Sequence, residues 1–133
     1  MYKESITYTD YNGLERTENF YFNLTQTELT RLEANSPGGL QAWLQKIVDA
    51  KDGAAIMNAF EKIIYESYGE KDPDGRRFIK KKNGVPLAEA FLETPAYDQF
   101  FMSLVTDADK AATFINAIVP DNASQKNQPT PVK

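Results

Sequence analysis

The order of elements along the chain is what most limits the folds open to it. A β-hairpin comes first, a run of short amphipathic helices follows, and a polar tail without apolar periodicity closes the sequence. The hairpin is carried by Ile6-Thr-Tyr-Thr-Asp-Tyr-Asn-Gly13 and the segment Leu14 to Phe22. Asp10-Tyr-Asn-Gly13 reads as a type I turn whose glycine takes positive φ, which makes a three-residue loop with a G1 bulge. That register pairs Tyr8 with Arg16, Ile6 with Glu18 and Glu4 with Phe20. Ile6, Tyr8, Leu14, Phe20 and Phe22 then share one face with Glu4, Arg16 and Glu18. A two-residue Asn-Gly loop would set Phe20 opposite Ser5 and move Ile6 and Tyr8 to the other face, so the bulged loop is preferred. A lone hairpin is marginal in water and must pack on something.

The helices supply that surface. Thr25-Gln-Thr-Glu28 has the form of a capping box, flanked by Leu24 and Leu29 as a hydrophobic staple; this helix should stop near Asn35-Ser-Pro-Gly-Gly39. A second helix, about 40–50, carries the stripe Leu40, Trp43, Leu44, Ile47 and Val48. A third, about 54–68, buries Ile56, Phe60, Ile63, Ile64 and Tyr68 and ends at Gly69. Glu70 to Gly84 reads as a charged connector around the turn Asp72-Pro-Asp-Gly75. A short helix follows from Pro86 to Glu93. Thr94 and Pro95 then start a helix with the stripe Tyr97, Phe100, Phe101, Leu104 and Val105. Thr106-Asp-Ala-Asp109 starts the last, with Ala108, Ala111, Ala112, Ile115, Ile118 and Val119 inward and Pro120 as its stop. The expected architecture is α+β: an N-terminal two-stranded hairpin packed on five to six short helices as one domain, residues 1–120, with a disordered tail at 121–133.

Composition narrows the chemistry. The 133 residues contain no Cys and no His, so thiolate and imidazole metal sites are excluded and the commonest general base is missing. Neither a phosphate-binding glycine loop nor a nucleophile elbow occurs. Asp72-Pro-Asp-Gly fails as a calcium loop because its twelfth position is Asn83. Asp107 and Asp109 suit the acidic first turn of a helix. No catalytic, cofactor or metal residue is therefore expected. A net charge of −4 argues against nucleic-acid binding. No apolar run approaches the roughly 20 residues of a membrane span, and Met-Tyr-Lys-Glu-Ser is no signal peptide.

Five of the fifteen basic residues gather at Arg76, Arg77, Lys80, Lys81 and Lys82; without these five the net charge would go from −4 to −9. The cluster reads either as a basic patch for an acidic partner or as a solvated connector pinned by Phe78 and Ile79. Tyr11, Tyr21 and Tyr65 lie off the helix stripes and are candidate partner-binding residues, together with Arg76, Arg77, Lys80 and Lys81. Replacing those four cations by Glu should weaken binding and leave the domain folded.

Three stretches taken together resemble the tail assembly chaperones of long, non-contractile-tailed bacteriophages of Gram-positive bacteria. They are Thr7-Tyr-Thr-Asp-Tyr-Asn-Gly13 leading to Glu18-Asn-Phe-Tyr-Phe-Asn-Leu24; Ser67-Tyr-Gly-Glu-Lys-Asp-Pro-Asp-Gly-Arg-Arg-Phe-Ile79; and Phe101-Met-Ser-Leu-Val-Thr-Asp-Ala-Asp109 with Phe114-Ile-Asn-Ala-Ile118. The resemblance implies a non-enzymatic protein of the host cytoplasm, absent from the mature virion. It would bind the helical tape measure protein and keep it soluble while major tail tube protein polymerises round it. Possible homo-oligomers and a longer frameshifted form of itself are further implied partners. A −1 ribosomal slip on A AAA AAC fits Gln125-Lys126-Asn127, and Lys82-Asn83 is equally compatible in codon terms; position favours Lys126-Asn127 as the junction. The competing reading is a small intracellular module that inhibits a host protein, with an enzyme third.

Overall fold

The structure, a computed structural model, describes residues 1–34 and 38–120. The expected helix stop at Asn35-Ser-Pro37, the tail at 121–133 and the junction at Lys126 and Asn127 lie outside the described residues. The architecture is α+β. An N-terminal hairpin, β1 (Tyr2–Thr9) and β2 (Glu15–Phe22), is followed by α1 (Gln26–Glu33), α2 (Gly39–Asp49) and α3 (Gly53–Ser67). Four short strands come next: β3 (Tyr68–Lys71), β4 (Phe78–Ile79), β5 (Lys81–Lys82) and β6 (Val85–Pro86). The chain then closes with α4 (Leu87–Phe91), α5 (Pro95–Val105) and α6 (Ala108–Ile118).

The hairpin register is the bulged one: Tyr8 pairs with Arg16, Ile6 with Glu18 and Glu4 with Phe20. Gly13 sits at φ 83° and its N–H donates to the Asp10 carbonyl at 3.0 Å, while the Asp10 N–H donates to Leu14 at 2.8 Å. The even-numbered face meets the helices, with Ile6 and Phe22 buried and Tyr8 and Phe20 packed on the core. Leu14 departs from expectation. It lies at the hairpin tip and is 60% exposed. The charges on the packed face are satisfied locally. Glu4 accepts from Lys110 at 2.7 Å and from the Tyr2 hydroxyl at 2.6 Å, and Arg16 pairs with Asp10 at 2.7 Å.

The hairpin is wider than its own two strands. β3 adds to β2 through Tyr21–Gly69 and Phe22–Tyr68, and β4 adds to β3, giving the order β1-β2-β3-β4. The segment expected as a connector therefore contains strand, at Glu70 and Lys71, Phe78–Ile79 and Lys81–Lys82. Its turn at Asp72-Pro-Asp-Gly75 does form, with Gly75 at φ 78°. Gly69 does not cap α3. It lies in β3, where an added Cβ would come within 2.6 Å of Cε2 of Phe78 and 2.7 Å of the Ile79 carbonyl, so only glycine lets β4 approach. The β5–β6 hairpin turns on Asn83 (φ 53°) and Gly84 (φ 77°), both left-handed as a type I′ turn requires.

The helix starts follow side-chain chemistry. Thr25 and Glu28 form the capping box, Thr94 caps α5 with Pro95 in its first turn, and Asp107 caps α6. Pro86 stands one place earlier than expected, as the N-cap of α4. In α6 the buried side chains are Phe114, Ile115 and Ile118, with Ala108 and Ala112 exposed; the inner face is rotated toward Phe114, the bulkiest apolar group on the helix. The core is aromatic at its centre. Phe22 stacks on Phe100 at 4.9 Å between ring centroids, Phe114 meets both edge-on, and Tyr68 stacks on Phe91 at 4.2 Å. No helix among the described residues is long and apolar enough to cross a membrane.

Candidate functional site

Two concave surfaces follow from this packing, and they differ in chemistry. The first is an open groove of about 660 Å³ running between α2–α3 and α5–α6. Its walls are Leu44, Ile56, Phe60, Val105 and Ile115, with Ala111 and Ala112 as a shallow floor. Among the described residues no charged side chain lines it. Its small residues arise from the alanine run of α6, which leaves room where a larger side chain would close the helices together. The groove is apolar yet reachable, since Ala112 is exposed and Ile56, Val105 and Ala111 are only half-buried.

The second is a cleft of about 600 Å³ bounded by α1, α2, α3 and the β5–β6 hairpin. Leu32, Leu40, Trp43 and Tyr68 make its apolar wall, and Arg31, Lys62 and Lys81 bring cations to it. Tyr65 also lines it, its hydroxyl donating to Glu89 at 3.1 Å. Local desolvation, with that carboxylate beside it, holds the Tyr65 phenol above its usual range.

The candidate residues named from sequence thus separate. Tyr65, Lys80 and Lys81 meet in the cleft. Tyr11 is 84% exposed at the hairpin tip, far along the chain from any of them. Tyr21 lies on β2 beside the splay between β2 and β3, with the Lys71 ammonium 5.7 Å above its ring. Arg76 and Arg77 stand in solvent on the β3–β4 turn, Arg77 bonded to Asp72 at 3.0 Å. Lys80 is no free cation. Its ammonium donates to the Asn23 carbonyl at 2.9 Å, the Glu66 carbonyl at 2.7 Å and Glu28 at 2.9 Å, which uses all three of its protons. Replacement of Lys80 by Glu would break the fold locally, so it cannot serve in a binding test beside Arg76, Arg77 and Lys81.

Trp43, Lys62 and Arg31 were not singled out from sequence. Trp43 sat within a regular stripe and read as core, and the two cations belong to different helices whose approach is a tertiary fact. Among the described residues no group of His, Cys, Asp or Glu is placed to hold a metal ion.

The sequence model of the phage tail assembly chaperones matches residues 1–131. The chain belongs to that family. Neither the curated proteins nor the solved structures yield a match to it. Family membership makes the protein a phage tail assembly factor that engages tail proteins, and its surfaces are read in that light.

Proposed function

We propose that this chaperone holds the tape measure protein in solution and promotes tail tube polymerisation around it, by binding alone and with no catalytic step. The apolar groove between α2–α3 and α5–α6 carries the reading. An uncharged, alanine-floored channel formed by four helices matches the apolar stripe of a helical client, which lies in it by its i, i+3, i+4 and i+7 side chains. The chain's own remaining residues, 121–133, are a poor occupant, since Ala123, Pro129, Pro131 and Val132 are their only apolar groups. The client in this reading is made in the cytoplasm of a Gram-positive host, and the chaperone leaves before the virion is complete. Tyr11, Tyr21, Arg76, Arg77 and Lys81 are then free to meet the tube protein or a further copy of the chaperone.

The test is coexpression with the tape measure protein. The wild-type chaperone raises the soluble fraction of the client, and Ala112→Arg, at an exposed position on the groove floor, abolishes that rise and the copurification while the variant keeps its helical circular dichroism. Full client solubility with Ala112→Arg removes the groove from the mechanism.

The longer partner form is proposed to arise by a −1 slip at Lys126-Asn127, replacing Gln128 to Lys133 with further sequence. Codons there that cannot re-pair after a −1 shift exclude this junction.

A further inference from the structure

The cationic cleft is not needed for the client groove, and it sits on different faces of α2 and α3. The groove uses Leu44, Ile56 and Phe60, the cleft Trp43, Lys62 and Tyr65. We propose that this cleft is a second docking site, whose occupant is a short acidic protein segment carrying one large apolar side chain.

Charge argues for the acidic part. The cleft is lined by four cations, Arg31, Lys62, Lys80 and Lys81, and by two carboxylates, Glu28 and Glu66. Lys80 and Glu28 neutralise each other at 2.9 Å. What is left is three cations against Glu66 in the lining and Glu89 on the Tyr65 hydroxyl, a local excess of one positive charge in a chain of net charge −4. Among the described residues, Arg31, Lys62 and Lys81 enter no ion pair. Among the described residues the two half-buried cations, Lys80 and Lys110, are by contrast both paired. Free cations on three separate elements around one concavity can meet several carboxylates at once. A basic segment would meet like charge there.

Shape argues for the apolar part. The volume of about 600 Å³ falls within the roughly 300–1,000 Å³ of ligand pockets, ample for one aromatic or branched side chain with its backbone. Trp43 is half-buried in the wall, and its indole N–H makes no hydrogen bond among the described residues. It therefore offers a flat apolar face and a spare donor to the same ligand, as interface tryptophans do. Tyr68 is fixed behind it by stacking on Phe91, so the wall is preorganised.

Trp43 is the chain's single tryptophan, so its fluorescence reads this cleft alone. The experiment titrates the full chain with a peptide of about twelve residues bearing one Phe among glutamates, and with the same peptide carrying lysines. The glutamate peptide gives a saturable change in Trp43 emission that weakens steeply with salt, and the lysine peptide gives none. In Lys62→Glu/Lys81→Glu, both exposed positions, affinity falls about tenfold or more. Should that pair perturb the circular dichroism, Lys62→Gln and Arg31→Gln give the same comparison with smaller losses. The proposal is overturned by no saturable response, by equal binding of the lysine peptide, or by undiminished affinity in the variants. It is also overturned by a short single-stranded DNA binding as tightly, which makes the cleft a nucleic-acid surface. A shift in Trp43 emission with protein concentration alone overturns it too, since the occupant is then a second copy of the chain.

Discussion

Gly69 shows how one residue sets the width of the sheet. It lies in β3 opposite Tyr21, without positive φ, and its value is space rather than backbone freedom. The Phe78 ring and the Ile79 carbonyl occupy the volume a Cβ would need. One of those neighbours is backbone, so it cannot swing aside. Gly69→Ala is expected to destabilise the protein by about 1–3 kcal/mol through overpacking, seen as a melting temperature lower by roughly 5 °C or more. Gly75→Ala tests a different cost, because nothing lies near its missing Cβ and only its positive φ resists substitution. Unchanged melting for Gly69→Ala would mean β4 is free to withdraw from β3.

At the scale of elements, Lys80 joins parts that are distant in sequence. It follows β4, yet its ammonium bridges the carbonyl of Asn23 after β2, the carbonyl of Glu66 in the last turn of α3, and Glu28 in the first turn of α1. Glu28 meanwhile closes the capping box by accepting the Thr25 N–H at 2.9 Å. Lys80→Met keeps the stem and leaves two carbonyls and a carboxylate without this donor. The expected loss is about 1–3 kcal/mol in denaturant unfolding, against a change within about 0.5 kcal/mol for Lys81→Met next door. Equal effects at the two positions would reduce Lys80 to a solvated lysine. This bridge also marks where sequence reading ends. Caps and turns are local and were legible: Thr25, Thr94 and the Gly13 bulge stand where their chemistry puts them, whereas Asp107 caps α6 rather than joining its first turn, and the alanine-rich stripe of that helix concealed the inward Phe114. Strands of two to four residues, such as β3 and β4, carry too short an alternation to be read and exist only because β2 offers an edge. The β5–β6 hairpin did leave a signal, the dipeptide Asn83-Gly84, hidden inside a charge run. Of the two concave surfaces the sequence revealed fragments, Tyr65 and Lys81, because the opposing wall of Trp43, Lys62 and Arg31 is assembled by tertiary packing.

Across the whole molecule, the joint between sheet and helices is closed by tyrosines, and this gives it an alkaline limit. Tyr2 on β1 packs against Phe22, Phe100 and Phe114; Tyr68 on β3 stacks on Phe91; Tyr97 on α5 meets Phe91 edge-on. Burial is the leading cause that raises all three phenols, with the Glu4 bond adding to Tyr2, and Tyr68 and Tyr97 are each pushed up to about 12. The folded state thus prefers the neutral phenol more strongly than the unfolded chain does. Their contribution is fully present below pH 10, the ordinary phenol value, and is lost as pH rises through about 12. For Tyr68 and Tyr97 the loss is on the order of 1 kcal/mol each at the top of that window, once solvent screening of partly exposed rings is allowed for. The decline by itself does not single out Tyr68. Tyr68→Phe does. It keeps the ring stack on Phe91 and removes the titrating group, so urea midpoints measured from pH 9 to 12 should fall less steeply than in the wild type. Parallel slopes would instead place the alkaline loss outside Tyr68, and the sheet–helix joint would then be indifferent to the charge of this tyrosine.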